Sequence, residues 1–258
     1  MTIADPKILK VTEFGHLVET ADGSLTVRHQ GHGQDFHSSE GARFEAWELY
    51  VVASGFRASL ASDGRALSVL DVGMGLGYNA VATMAAWLYS DGLRSLQMVS
   101  LEIDPRLPAA LLGGQAPWCQ NWSAEWLAVL RHLKKTNDNE FTAEMIHPKS
   151  EIAARWRIVV GDGSKTDLQA AIAPSILGLM PKVDYIWQDP FTPELNPDMW
   201  SGEWFRRLCA VSHGDTRLMT YSVSRVVKEA LTAGGWAHER FRTPGRKRHW
   251  LRATPKAH

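Results

Sequence analysis

Five apolar runs rich in β-branched residues recur along the chain, at 67–72, 96–103, 156–160, 183–187 and 218–223, with helix-compatible stretches between them. Strands that read as nearly continuous apolar runs are buried on both faces, and such strands belong to a parallel sheet covered on each side by helices. Two further strand candidates, 236–241 and 248–253, flank a short turn containing Thr243-Pro244-Gly245, so the sheet is expected to finish in an antiparallel hairpin. At 258 residues and 28.7 kDa, a compact chain buries roughly 70–75% of the surface its unfolded form exposes, and one core suffices without disulfides or metals.

Ahead of this rhythm, residues 10–38 alternate short β-like runs with turn signals, Asp22-Gly23 among them, which predicts an N-terminal β-hairpin. The expected division is a small extension over 1–40 and one α/β domain over 41–258. From Glu40, the spacing of Phe44, Trp47, Leu49, Val51 and Val52 predicts a helix that Gly55 stops. The segment 113–155 breaks the alternation. Trp118, Trp122, Trp126 and Leu130 fall at helical intervals, and the polar run 134–144 reads as a surface loop. Most of the eleven tryptophans are expected to fill the core and the layer interfaces.

Hydrophobic residues at 45% and charged residues at 22% exclude a mainly disordered, collagenous or disulfide-stapled chain. Cys119 and Cys209 make no disulfide framework and point to a reducing compartment. The first fifteen residues lack a basic stretch followed by an apolar run, and no apolar stretch reaches the roughly 18–20 residues of a membrane span, so a soluble cytoplasmic protein is expected. With 28 basic and 28 acidic residues the net charge is zero, which argues against a protein coated in basic groups. A local basic patch sits at the C-terminus, where Arg240, Arg242, Arg246, Lys247, Arg248 and Arg252 occur without an acid among residues 240–252. That patch suits phosphates; a solvated strand edge whose charges discourage sheet-to-sheet pairing is the competing reading.

The strongest local signal is Val69-Leu70-Asp71-Val72-Gly73-Met74-Gly75-Leu76-Gly77-Tyr78-Asn79, an apolar strand entering a glycine-rich turn and then a helix. Glycines there let the backbone approach a nucleotide-like ligand. The third glycine comes one residue earlier than in the dinucleotide pattern, which favours S-adenosylmethionine over NAD, and no Lys-Ser/Thr pair follows to cradle a phosphate. Asp71, Gly73, Gly75 and Gly77 are the cofactor candidates of this stretch. Glu102, with Asp104 second, ends the next strand, where a carboxylate can accept both ribose hydroxyls. Asp162, between Gly161 and Gly163, is placed to accept from an adenine amino group, unless it only forms a turn. Asp189 ends the central strand and opens a proline-rigidified loop at the crevice where open α/β sheets bind ligands. No metal site is expected from His29, His32 and His37, which lack cysteine partners and a ligand spacing.

The string Asp189-Pro190-Phe191-Thr192-Pro193, continuing to Asn196-Pro197-Asp198-Met199-Trp200, resembles the methyltransferase domain of the MnmC family, which completes 5-methylaminomethyl-2-thiouridine at the tRNA wobble position. The resemblance runs through most of the chain: Asp35-Phe36-His37-Ser38 with Gly41, the glycine turn, Leu101-Glu102, Gly161-Asp162, and Pro244-Gly245-Arg246-Lys247-Arg248 near the end. Pro190 departs from it, standing where a glycine is common. So does the absence, in a sequence ending at His258, of the FAD-dependent oxidoreductase half of the two-domain enzymes.

The resemblance implies a class I S-adenosylmethionine-dependent methyltransferase fold, Rossmann-like, with a seven-stranded, mostly parallel sheet. It implies S-adenosylmethionine as cofactor and N-methylation of an aminomethyl group at C5 of a wobble uridine. The aminomethyl substrate would then come from a separate FAD-dependent oxidoreductase or another modification enzyme. Asp189 would contact the cofactor and act on the amine, Phe191 and Trp200 would stack the flipped uracil with Tyr221 a weaker candidate, and Arg246, Lys247 and Arg248 would hold tRNA phosphates. Two other readings stay open: transfer to a small amine, polyamine or nucleobase amine, and a non-catalytic module binding S-adenosylmethionine or tRNA.

Overall fold

The computed structural model describes residues 8–173, 182–242 and 249–256. A nine-stranded sheet divides the molecule. Four parallel neighbours form its centre: β4 (Leu67–Val72), β5 (Leu96–Glu102), β8 (Ala153–Val160) and β9 (Val183–Gln188), joined in parallel by β10 (Ser212–Thr220). Beyond β10 lies β12 (Trp250–Pro255), antiparallel to it, and then β11 (Trp236–Phe241), antiparallel to β12, so the expected hairpin is present with its second strand on the inside. The seven strands read from the sequence are all found.

Two more extend the opposite edge. β6 (Leu133–Asn137) and β7 (Glu140–Ile146) form a hairpin antiparallel to β8, where the polar run had been expected to be a loop. In β7, Phe141, Ala143 and Met145 are buried while Glu144 and Ile146 face out, a period-2 pattern that tertiary pairing completes. β6 is an outer edge strand exposed at four of its five positions, and its lysines guard an edge that would otherwise invite pairing.

Alternation along the central strands sends Val69 and Trp187 to one face and Leu70 and Ile186 to the other, giving a core cluster on each side. One face carries α1 (Ala42–Glu45), which runs on into a π-helical stretch (Ala46–Ala53), then α2 (Phe56–Leu60), α3 (Tyr78–Leu88), α4 (Arg106–Leu111) and α5 (Ala124–Leu130). The helix expected around Trp118 to Leu130 is divided: a single 3-10 turn holds Trp118, and α5 starts only after Ser123 caps the Trp126 amide. The other face carries α6 (Leu168–Ile172), α7 (Gly202–Ala210) and α8 (Arg225–Ala233). Ten of the eleven tryptophans are buried, as expected, and Trp47 is the partly exposed one.

The N-terminal segment forms three strands rather than two, β1 (Ile8–Thr12), β2 (Gly15–Glu19) and β3 (Leu25–His29). Phe14, Leu17, Leu25 and Val27 join the core cluster around α3, and the Tyr78 hydroxyl donates to the Leu25 carbonyl at 2.7 Å. α3 lies against β5, β8, α5 and the π-helical stretch, and nearly all of its residues are buried. The Asp22-Gly23 turn between β2 and β3 also sets α1: Ser24 Oγ accepts from the Ala42 amide at 3.0 Å and Asp22 Oδ2 from the Phe44 amide at 2.8 Å.

Candidate active site

A cavity of about 390 Å³ opens at the carboxyl ends of β4, β5, β8 and β9, the switch-point position for ligands of an open α/β sheet. Gly73 and Gly75, Glu102, Asp162, Asp189, Phe191 and Tyr221 all line it, so seven of the sequence candidates are brought together. The N-terminal segment 34–39 supplies another wall, held there by the Phe36 amide donating to the Val27 carbonyl at 3.0 Å.

Gly73 has φ 79°, and a Cβ on it would lie 2.8 Å from Pro190 Cα and 2.9 Å from Pro190 N. The glycine turn thus lies directly against the Asp189-Pro190 peptide, whose Asp189 amide donates to the Val72 carbonyl at 3.0 Å. Gly75 donates its amide to Glu102 Oε2 at 2.8 Å, and the Asp104 amide donates to Oε1 at 2.8 Å. An ionised carboxylate has about four acceptor positions, so two remain for a ligand's hydroxyl pair. Burial lifts the Glu102 carboxyl to about 7 against these backbone donations. Asp162 pairs with Lys165 at 2.8 Å and accepts from Ser164 Oγ, contacts that hold its carboxyl below the usual range.

Asp189 Oδ2 accepts from Asn79 Nδ2 at 2.6 Å. Burial pushes the Asp189 carboxyl well above the ordinary carboxylate range, and the negative charge of Glu45, also on the cavity wall, pushes it further. Tyr50, fully buried beside it, makes no side-chain hydrogen bond of ordinary geometry among the described residues. Its phenol is raised first by its own burial and then by the Asp189 charge. Phe191 belongs to an aromatic group with Phe36, His29 and His32 at centroid distances of 4.9, 5.6 and 5.3 Å, and the two histidines stack at 4.4 Å.

Several candidates are placed elsewhere. Asp71 is fully buried beneath the turn, accepting from Ser100 Oγ at 2.7 Å, and its carboxyl is raised to about 7 by burial. It ties β4 to β5 rather than lining the cavity. Gly77 starts α3, against Leu111, and Asp104 is ion-paired with Arg106 at 2.6 Å; neither is on the cavity wall. The expectation that Trp200 stacks a base is corrected: it is 1% exposed, and its Nε1 donates to the Phe191 carbonyl at 2.7 Å. A ring enclosed in the core has no free face, so Trp200 fixes the loop that carries Phe191. Tyr221 does reach the cavity, and its hydroxyl donates to the Pro190 carbonyl at 3.0 Å. Arg246, Lys247 and Arg248 lie outside the described residues. No group of three or more potential metal ligands occurs among the described residues.

Asn79, Glu45 and Tyr50 were missed as site residues. Asn79 had a usable signal, standing two residues beyond the last glycine in the first turn of α3, where the helix meets the strand end.

A family model described as S-adenosyl-L-methionine-dependent methyltransferase matches residues 130–256. The chain is 30% identical over 227 residues to the tRNA 5-methylaminomethyl-2-thiouridine biosynthesis bifunctional protein MnmC of Thiobacillus denitrificans, covering 86% of this chain and 34% of that protein. It is 28% identical over 233 residues to MnmC of an Azoarcus species, covering 86% and 33%. Over most of its length the chain is similar to these MnmC proteins, and residues 130–256 match the methyltransferase family model. It spans about a third of the length of these curated relatives. The crystal structure of MnmC2 from Aquifex aeolicus shares the fold, with a TM-score of 0.72, 22% identity, and coverage of 93% of this chain and 70% of that one.

The cavity fits S-adenosylmethionine, the cofactor named in the description of the matching family model. Its wall carries Asp35, Glu45, Glu102, Asp162 and Asp189 and no lysine or arginine among the described residues, an acidic, hydrogen-bond-accepting lining for a ligand with positive sulfur and ammonium groups. Glu102 would hold the ribose and Asp162 the adenine edge, with the backbone of Gly73 and Gly75 beneath. No helix among the described residues is long and apolar enough to cross a membrane.

Proposed function

We propose that this domain methylates the nitrogen of an aminomethyl group at C5 of a (2-thio)uridine in the wobble position of tRNA. The observation that carries the reading is Asp189, a buried carboxylate held by Asn79 on a cavity wall without a cation among the described residues. When bound, S-adenosylmethionine supplies an electrophilic methyl group on a positively charged sulfur. An alkylammonium has no lone pair to attack it. Asp189, lifted above the ordinary carboxylate range, accepts the proton that must leave the nitrogen, and general bases work best when their pKa approaches the working pH. Asn79 fixes the direction of the carboxylate, and Pro190 and Trp200 fix the loop behind it.

Phe191, with Phe36, His29 and His32, offers aromatic surface for a flipped pyrimidine. Arg246, Lys247 and Arg248 supply positive charge for tRNA phosphates, which the acidic cavity itself would repel. The names of the MnmC relatives support tRNA as substrate; on that reading the work is cytoplasmic, and an FAD-dependent oxidoreductase is one supplier of the amine. The experiment is methyl transfer from labelled donor to tRNA lacking the terminal methylation, beside fully modified tRNA and free polyamines. Transfer to the first alone is expected; preferential transfer to polyamines assigns the acidic cavity to small amines instead.

A further inference from the structure

The tip of the N-terminal sheet reaches the Asp189 loop through two histidines. After β3 the chain turns back at once: the His29 amide donates to the Gln34 carbonyl at 2.8 Å, and the Gly33 amide to the His29 carbonyl at 2.9 Å. Inside this turn His29 Nδ1 accepts from the Gly31 and His32 amides, each at 3.1 Å. A ring nitrogen that accepts carries no proton, so the hydrogen-bond network assigns a neutral His29 with its hydrogen on Nε2.

That ring meets three others: His32 stacked at 4.4 Å, and Phe191 and Phe36 edge-on at 5.6 and 5.7 Å. Phe36 and Phe191 line the cavity, whereas neither histidine does. Phe36 also lies over the glycine turn, since a Cβ on Gly75 would be 3.1 Å from its Cδ1. The histidines therefore stand behind the two phenyl rings that face the site. A phenyl ring at position 29 would supply the packing, but only an acceptor ties the turn.

We propose that His29 is the positioning residue of the aromatic platform for the acceptor base: its unprotonated Nδ1 holds the turn that braces Phe36 and Phe191, and a proton taken up there releases them. This rests on the amine-methylation reading above, in which the acceptor amine arrives on a flipped pyrimidine. A proton on Nδ1 would set N–H against N–H at both amides, and the resulting cation would stand beside the His32 ring. The groups that bear on His29 are His32 from the same turn, Asp104 from the loop after β5 and Arg106 from α4. Burial first, then His32 and Arg106, push its pKa below the ordinary imidazole value, and Asp104 pulls only part of the way back. The turn thus holds at neutral pH and loosens on acidification.

The test measures methyl transfer to aminomethyl-bearing tRNA across pH for wild type, His29→Phe and His29→Asn, with thermal melting alongside. Asparagine keeps a side-chain acceptor for the two amides without a titrating ring; phenylalanine keeps a ring and loses the acceptor. Wild-type KM for tRNA should rise as pH falls below the ordinary imidazole range, and in both variants that rise should be absent. At neutral pH His29→Phe should raise KM about tenfold, the scale of one or two lost hydrogen bonds, and His29→Asn less. Because His29 is off the cavity wall, calorimetric affinity for S-adenosylmethionine should stay at the wild-type value. A wild-type KM in folded His29→Phe overturns the proposal while amine methylation stands. So does a wild-type KM that falls in acid, as it would if the histidines merely added positive charge for phosphates. Imidazole 15N NMR of the free wild-type protein reads the ring without substrate and decides even if a variant does not fold: a proton on Nε2 alone at neutral pH is expected, and one on Nδ1 overturns the proposal. If the wild type methylates free polyamines and not tRNA, both readings fall, because an aliphatic amine brings no base to stack.

Discussion

A methyl group added at Gly73 tests whether the glycine turn and the Asp189 loop are one mechanical unit. Alanine there meets two separate penalties. The left-handed backbone, φ 79°, costs a non-glycine residue about 1–2 kcal/mol. The new Cβ would lie 2.8 and 2.9 Å from the Cα and N of Pro190 and 3.1 Å from the carbonyl carbon of Asp189. These are backbone atoms that cannot rotate away, and forced overpacking adds about 1–3 kcal/mol. The total is roughly 2–5 kcal/mol, which at ~2–4 °C per kcal/mol lowers Tm by about 4–20 °C. Gly23 is the control: its φ is 76° and a Cβ would meet nothing within 4 Å, so Gly23→Ala carries only the backbone penalty, about 1–2 kcal/mol. The displaced Asp189 should cost the folded Gly73→Ala protein about 10²-fold in turnover, the scale of an ångström-sized misplacement. Thermal melting and single-turnover methyl transfer read the two effects. Equal melting of the two variants, with wild-type turnover in Gly73→Ala, would show that the turn does not bear on the Asp189 loop.

Glu102→Ala should abolish most calorimetric binding of S-adenosylmethionine, whereas Asp189→Asn should bind it and lose ~10²-fold or more in turnover, the scale of a lost acid–base group; the reverse pattern would exchange their roles. Asp71, raised to about 7 in the folded protein by burial, keeps a proton that the unfolded chain has already released. Wild-type stability should therefore fall as pH rises from the ordinary aspartate range towards 7, and denaturation curves of Asp71→Asn should lack that share of the slope. Neutralising Arg246, Lys247 and Arg248 together should weaken tRNA binding and flatten the plot of log affinity against log salt by about 2–3 units, with cofactor binding intact; an unchanged slope would remove these residues from the tRNA contact.

The central strands were legible because their burial on both faces is written as uninterrupted apolar runs, and β4 matches the expected run residue for residue. The β6–β7 hairpin was not, because Lys134, Lys135 and Glu144 face solvent and the alternation of Phe141, Ala143 and Met145 gains meaning only beside β8. At the site, the motif residues at strand ends were found, since chain position alone puts Glu102, Asp162 and Asp189 at the crevice. Glu45 reaches it, and Tyr50 comes beside Asp189, through the packing of the first helical segment on the sheet, which no local pattern encodes. Trp200 was misassigned for the opposite reason: a tryptophan beside a binding loop looks available in sequence, and burial decides that it is not.

Amine methylation of the wobble uridine is tested most directly by digesting reacted tRNA to nucleosides and locating the transferred methyl by mass spectrometry, with wild type and Asp189→Asn compared. The expected result is one added methyl on the nitrogen of the 5-aminomethyl group, formed by wild type and strongly reduced in the variant. A methyl group on a ring atom or on ribose, or full methylation of the amine by Asp189→Asn, would contradict it.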